Sequence, residues 1–347
     1  MNVNLLVRRL ALFGVLLAFT VVVLGAWVRL TDAGLGCPDW PTCYGHITPT
    51  GAAANVEAAQ ARYPEREFDH QKAWHEMIHR YAATTLGLII VLLAALAIAY
   101  RAQSLLSVRY AVLLLLTVVL QGVLGAFTVW WLVKPLVVML HLAGGLTTMG
   151  MLYWLWLELR RRAGLQPAAA PAAVAAVSKP ARQQLWLAAR CVMVVGCLQI
   201  LLGGWTSSNY AAVSCPDLPT CQGAWWPAEM DYADAFVLWR GLDIDYTGGV
   251  LEHPARVAIH FTHRLGAVVT TLAILWAAWL TFAGANPARL RAAGGWLLAA
   301  LATQVLIGIF MVWRGFPLVL AAGHNAGAAL LLLAMLTFAW RVREIAR

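Results

Sequence analysis

The chain has 347 residues, of which 61% are hydrophobic and only 12% charged, and its mean hydropathy is +0.71. Soluble domains carry about a quarter charged residues, so the composition excludes an ordinary soluble protein and predicts an all-α polytopic membrane protein. The formal charge of +9 would suit a nucleic-acid binder, but its distribution, described below, excludes nucleic acid as a partner and leaves the lipid bilayer.

A hydrophobic stretch needs about 20 residues to cross the hydrocarbon. Eight qualify, roughly 10–30, 72–100, 109–131, 136–158, 185–207, 256–282, 294–314 and 318–340. The first is too long in its apolar core for a cleaved signal segment, and its counterpart, the fifth, is internal. Arg8, Arg9, Arg101, Arg109, Arg160, Arg161, Arg162, Lys179, Arg182, Arg289, Arg291, Arg341, Arg343 and Arg347 all fall at the span ends that share a side with the N-terminus, with only Glu158 and Glu344 among them. Asp32, Asp39, Glu65, Asp69, Asp231, Asp243 and Asp245 fall on the opposite side. The excess of Lys and Arg puts both termini and the 164–183 linker in the cytoplasm, and the loops at 31–71 and 208–255 outside. The Ala/Pro stretch Gln166–Pro180 reads as a flexible linker between four spans and four.

The two outer loops repeat each other. Cys37-Pro-Asp-Trp-Pro-Thr-Cys43 returns as Cys215-Pro-Asp-Leu-Pro-Thr-Cys221, in each case after a Gly-x-Trp (Gly25, Trp27; Gly203, Trp205). His79-Arg80 and His263-Arg264 follow in the next span, and Gln121, Gly125, Trp130, Pro135 and His141 match Gln304, Gly308, Trp313, Pro317 and His324. A spacing of roughly 180 residues kept this steadily means an internal duplication. With four spans per half, both halves enter from the same side. The expectation is two parallel four-helix bundles, at 1–163 and 184–347, related by a pseudo-two-fold axis along the membrane normal.

In an oxidising compartment each cysteine pair reads as a disulfide, Cys37–Cys43 and Cys215–Cys221. Zinc and c-type haem attachment are weaker alternatives, because their spacings are shorter. Cys191 and Cys197 lie inside the fifth span and read as core residues. The Gln-x-x-x-Gly pattern at Gln121, Gln199 and Gln304 reads as close helix packing at glycine beside a hydrogen-bonding amide. His141 and His324 are each followed three residues later by glycine (Gly144, Gly327), where a flat ligand could approach the backbone.

Four histidines, His79, His141, His263 and His324, come at matching depth on four spans. Ionisable groups within a membrane are usually functional, and imidazoles facing each other suit bis-axial ligation of haem iron. The alternatives are structural hydrogen bonding and a non-haem metal. The two halves differ at one position: Glu76 stands one turn before His79, whereas His260 holds that register before His263. A carboxylate beside one haem can act as a general base or stabilise a developing cation. Its bland alternative is an ion pair with Arg80.

These residues together resemble the haem A synthase family. The resemblance rests on the Gly25–Pro41 run, on Glu76-x-x-His-Arg80, and on His141, His263 and His324, and it covers nearly the whole chain. It implies an inner-membrane oxidoreductase that oxidises the C8 methyl of haem O to the formyl group of haem A through successive hydroxylations. It implies that His79 and His141 hold haem O or haem A as substrate or product, that His263 and His324 hold a protohaem (haem b) that carries electrons, and that Glu76 takes part in the chemistry. It further implies haem O synthase as substrate donor and cytochrome oxidase assembly as the destination. A homo-oligomer is compatible with the sequence. The competing readings are a di-haem b-type cytochrome that only transfers electrons, and a haem transporter or delivery protein. The Glu76/His260 difference favours the enzyme.

Overall fold

In the computed structural model, which describes residues 3–165 and 177–346, eight long helices carry the chain. They are α1 (Val3–Leu30), α2 (His70–Ala99), α3 (Val108–Trp130), α4 (Pro135–Arg162), α5 (Lys179–Ser208), α6 (His253–Ala283), α7 (Ala288–Trp313) and α8 (Leu318–Ala346). No described residue belongs to a strand. All eight are long and apolar enough to cross a membrane, where only helices or closed barrels satisfy their own backbone groups. Most of the stretch expected to be a flexible linker, residues 166–176, lies outside the described residues.

The helices run past the apolar stretches because their ends are capped by polar residues. The Asp69 side chain accepts from the backbone N–H groups of Gln71 and Lys72 and starts α2 three turns before its apolar run. Ser178 accepts from the Ala181 N–H at the start of α5, and proline opens α4 at its first position. Leu88, Leu116, Val194 and Leu272 are each at least half exposed along the helix bodies, as lipid-facing residues must be. Trp130, Trp225, Trp226 and Trp313 are exposed near the loop-bearing end and Trp279 and Trp296 towards the other, the positions that indole rings favour at membrane interfaces.

Helix α1 packs on α2 and α4, α2 on α3, and α3 on α4; α5 packs on α6 and α8, α6 on α7, and α7 on α8. Contacts between the two sets run through α1–α8, α4–α5, α4–α8 and α1–α5. The main core runs through both sets on the side away from the outer loops, with Ile90, Leu93, Met149, Leu152, Leu185, Met335 and Phe338 buried. Helices α5 and α8 approach so closely at Gly196 that an added Cβ would lie 2.4 Å from the Met335 sulfur. Cys197 is half-buried and packs against this core, while Cys191 is half-buried beside it; both are free thiols and neither is enclosed.

The loop-bearing end is locked across the two sets by polar contacts. Arg29 donates to the Ser207 carbonyl (2.5 Å) and lies 3.8 Å over the Tyr210 ring, whose hydroxyl donates to Asp32 (2.6 Å). Arg66 pairs with Asp245 at 2.8 Å. Lys134, in the α3–α4 turn, is fully buried: its ammonium donates to the Gly241 carbonyl and sits 3.6 Å from the Trp239 ring, with Trp131 and Tyr246 beside it. Burial pushes that ammonium below the usual lysine value, and Asp243 opposes the shift. Lys134→Met keeps the aliphatic stem but removes the cation–π contacts and the bond to Gly241. We expect a loss of about 1–3 kcal/mol, seen as earlier thermal unfolding in detergent.

Candidate functional site

Each outer loop is pinned to the helix that follows it by one arginine. Arg80 donates to the carbonyls of Asp39 (2.9 Å), Pro41 (3.3 Å) and Thr42 (2.7 Å). Arg264 donates to those of Cys215 (2.7 Å), Asp217 (2.8 Å) and Thr220 (2.7 Å). Both cysteine pairs are closed as disulfides with Cα–Cα 4.7 Å. The aspartate within each loop organises the turn: Asp39 accepts from the Tyr44 and Gly45 N–H groups, and Asp217 from those of Gln222 and Gly223. The Thr220 hydroxyl, together with these N–H groups, holds the Asp217 carboxyl down at about 2. Arg264→Ala removes all three loop bonds and leaves their carbonyls over a buried surface. The expected cost is roughly 2–4 kcal/mol, read as a lowered Tm, with Arg264→Lys intermediate because an ammonium has a shorter, less forked reach.

The four histidines come together in two pairs. His79 of α2 and His141 of α4 face each other with ring centroids 6.4 Å apart. His263 of α6 and His324 of α8 occupy the same registers in the second set, against Gly203 and Gly308. Every ring lies against a glycine of the preceding long helix. An added Cβ at Gly25 would come 3.0 Å from the His79 ring, at Gly125 3.4 Å from His141, at Gly203 3.0 Å from His263, and at Gly308 3.1 Å from His324. At Gly25, Gly203 and Gly308 a side chain would make the ring give way, and at Gly125 it would just touch; this close approach is the packing expected of the Gln-x-x-x-Gly pattern. The same pattern holds around Gly25, where valine replaces the glutamine.

One expectation about these glycines is overturned. Gly144 and Gly327 are not open to a flat ligand, because Gln121 and Gln304 occupy the space beside them. A Cβ on Gly144 would lie 1.8 Å from Gln121 Nε2, and one on Gly327 would lie 2.3 Å from Gln304 Oε1. Gly266, three residues after His263, is covered by Gln199 in the same way (2.1 Å). The pairing lies between helices, so local spacing did not expose it.

Glu76 is buried and makes the ion pair with Arg80 that the sequence allowed; the two side chains are 6% and 12% exposed. Its other oxygen accepts from the Cys37 backbone N–H at 2.8 Å. The disulfide loop thus hands a donor to Glu76. In the second half His260 is buried in that register and accepts from Arg264 Nε at 3.3 Å. His75, next to Glu76, contacts the Thr31 hydroxyl (3.3 Å) and packs edge-on to Trp27. His46 bridges to Cys43 through the backbone, while His70 and His253 meet Trp74 and Gln222.

The residues fit a haem at each pair. Nδ1 of His79, His141 and His324 is buried without a partner. A centroid separation of 6.4 Å has room for one metal ion between two imidazoles at metal–nitrogen bonds of about 2 Å. Among the described residues no three His, Cys, Asp or Glu side chains converge as a metal cage, so a metal held here would bring its remaining ligands with it, as haem iron does.

Comparison with known proteins gives the same direction. Residues 8–336 match a family described as cytochrome oxidase assembly protein. The chain is similar to the haem A synthase of Shewanella oneidensis, with 40% identity covering 95% of this chain and 96% of that protein. It is also similar to the haem A synthases of Caulobacter vibrioides (28% identity; 94% and 93% covered) and Paracoccus denitrificans (28%; 94% and 84%).

Proposed function

The chain belongs to the cytochrome oxidase assembly protein family, and from that premise we propose that it is a haem A synthase, an oxidoreductase that converts haem O to haem A. The observation that carries the reading is the asymmetry of two otherwise matched histidine pairs. One has a buried carboxylate a turn away, Glu76; the other has His260. A carrier of electrons alone has no need of a carboxylate at one haem only.

In this reading His79 and His141 hold the substrate, and His263 and His324 hold a protohaem. When bound, that protohaem supplies one-electron transfer. The protein's own residues do the rest. Gly25, Gly125, Gly203 and Gly308 let the four rings lie against neighbouring helices and so set the depth of both sites. Glu76 is the only carboxylate on the outer turns of α2, and Arg80 and the Cys37 amide hold it in place. A carboxylate offers about four acceptor positions, so it keeps capacity to accept a proton, or to orient a water, as the C8 methyl is oxidised to the formyl group. Arg80 ties the same carboxylate to the disulfide loop, which covers the site and restricts water.

The proposed setting is the cell inner membrane, with both termini cytoplasmic and the disulfide loops outside, because arginine crowds one set of helix ends and disulfides persist in an oxidising compartment. The two halves are read as parallel four-helix bundles. The helix contacts support this, since exchanging α1–α4 with α5–α8 returns the same pairings. Haem O would come from haem O synthase, entering from the lipid on its apolar tail, and haem A would pass to cytochrome oxidase assembly.

The test is pigment extraction from membranes of cells that make haem O, with and without this chain. Haem A appearing only with the chain is the expected result. Protohaem alone in the purified protein, with no haem A formed, would leave the di-haem cytochrome in its place.

A further inference from the structure

Three of the four helix hairpins share an interlock that the first one lacks. In α3–α4, α5–α6 and α7–α8 a glutamine, four residues before the cradle glycine, fills the notch beside a glycine three residues after the histidine. The pairs are Gln121 with Gly144, Gln199 with Gly266, and Gln304 with Gly327. In α1–α2 the same two registers hold Val21 and Ala82. Both partners change together, amide to isopropyl and glycine to alanine.

The polar surroundings of the histidines follow. Gln199 Nε2 is 3.1 Å from His263 Nδ1 and donates to the His263 carbonyl at 2.9 Å. Gln304 Nε2 is 3.2 Å from His324 Nε2. Gln121 Nε2 and His141 Nδ1 are both buried without a partner, one helical turn apart in the same clamp. Oε1 of Gln199 and of Gln304 is also unpartnered. A half-turn of the carboxamide exchanges its donor and acceptor ends and gives each an acceptor for the N–H of an imidazole whose other nitrogen is on a metal. At Gln199 that turn gives up the bond to the His263 carbonyl. His79 has no side-chain amide beside it: the registers of the clamp hold Val21 and Ala82, and its polar neighbour is the Val21 backbone carbonyl, as those of Gln121 and Gln304 are for His141 and His324.

We propose that Val21 and Ala82 make His79 the readily released axial ligand of the chain, while Gln199 and Gln304 are positioning residues that keep His263 and His324 on iron. The inference rests on the haem reading above. Outer partners orient a ligating histidine and raise its basicity, and their loss typically costs 10–100-fold in affinity. A substrate must enter and leave, and a resident electron carrier must not. The histidine without an amide partner is also the one that shares its helix face with Glu76, so release at His79 would open the substrate on the carboxylate's side.

The test is carbon monoxide binding to the dithionite-reduced full-length protein, purified from cells that make haem O, followed by stopped flow. Haem content per chain, by pyridine haemochrome, is measured on the same samples. In the wild type one haem should bind carbon monoxide and the other should not. Val21→Gln with Ala82→Gly should slow that binding roughly tenfold or more. Gln304→Val, which leaves Gly327 in place and so avoids a steric clash, should make the second haem reactive, and Gln199→Val serves the same end if that variant fails to fold. Equal rates in the wild type and the V21Q/A82G protein, or a second haem that stays inert in both glutamine variants at full haem content, would overturn the proposal. A protein with no haem lost on His79→Ala would instead overturn the haem reading beneath it, and the proposal with it.

Discussion

Glu76→Gln should retain both haems and lose haem A formation by a factor of about 10²–10⁴, the range in which a positioned acid or base contributes. The substitution keeps a carbonyl oxygen that can accept from the Cys37 N–H, so the local geometry has reason to persist. It removes the negative charge opposite Arg80. Breaking a buried ion pair from one side can cost about 3–5 kcal/mol when the remaining charge is stranded. Here Arg80 also donates to three loop carbonyls, of Asp39, Pro41 and Thr42, so the loss of stability should fall at or below the lower end of that range. Glu76→Ala strands the Cys37 N–H as well and should be the less stable of the two. Haem A yield, haem per chain and Tm measured together separate the outcomes. Full activity in both variants would remove Glu76 from the chemistry. Lost activity accompanied by lost haem would assign it a structural role only.

His263→Ala should lower haem content from two per chain to one and remove the protohaem selectively. The ring is held against Gly203 and by Gln199, so its removal leaves an unpartnered amide and a cavity in addition to a missing ligand. Helix α6 itself packs on α5 and α7 and α2 on α1 and α3, and the contact between the two sites runs through α5 and α4, where Gly204 lies against Met139 and Leu142 and not against a histidine ring. The first site should therefore keep its pigment, and imidazole added to the medium should restore part of the second. Loss of both pigments in equal measure would show that the two sites do not fold independently and would weaken the division into a reacting half and a conducting half.

The two variants bear on different kinds of information. The eight spans follow from the length of each apolar run and the backbone's need to bond to itself in lipid, and the helices cover every predicted stretch to within one residue, extended where Asp69 and Ser178 add polar starts. The duplication, the four histidines and the Glu76/His260 difference are properties of order and spacing, so they were readable along the chain. Both readings of Glu76, a carboxylate that takes part in the chemistry and an ion pair with Arg80, were open from the sequence and are compatible with each other; the structure contains the ion pair.

What only the tertiary structure decided lies between helices. That Gly25, Gly125, Gly203 and Gly308 each receive a histidine depends on which faces meet, and helical periodicity is silent on a partner helix. The glutamine and glycine interlock reversed one expectation for the same reason: Gly144 and Gly327 look open along their own helix and are closed by an amide from the next. The bond from Cys37 N–H to Glu76, and the cover that Gly241, Trp239 and Tyr246 of a distant loop give Lys134, arise from chain segments whose contacts leave no periodic trace. Local order determined which groups this protein has and how deep they lie; the meeting of helix faces determined what each group touches, because close approach at a missing Cβ is a property of two surfaces and not of one.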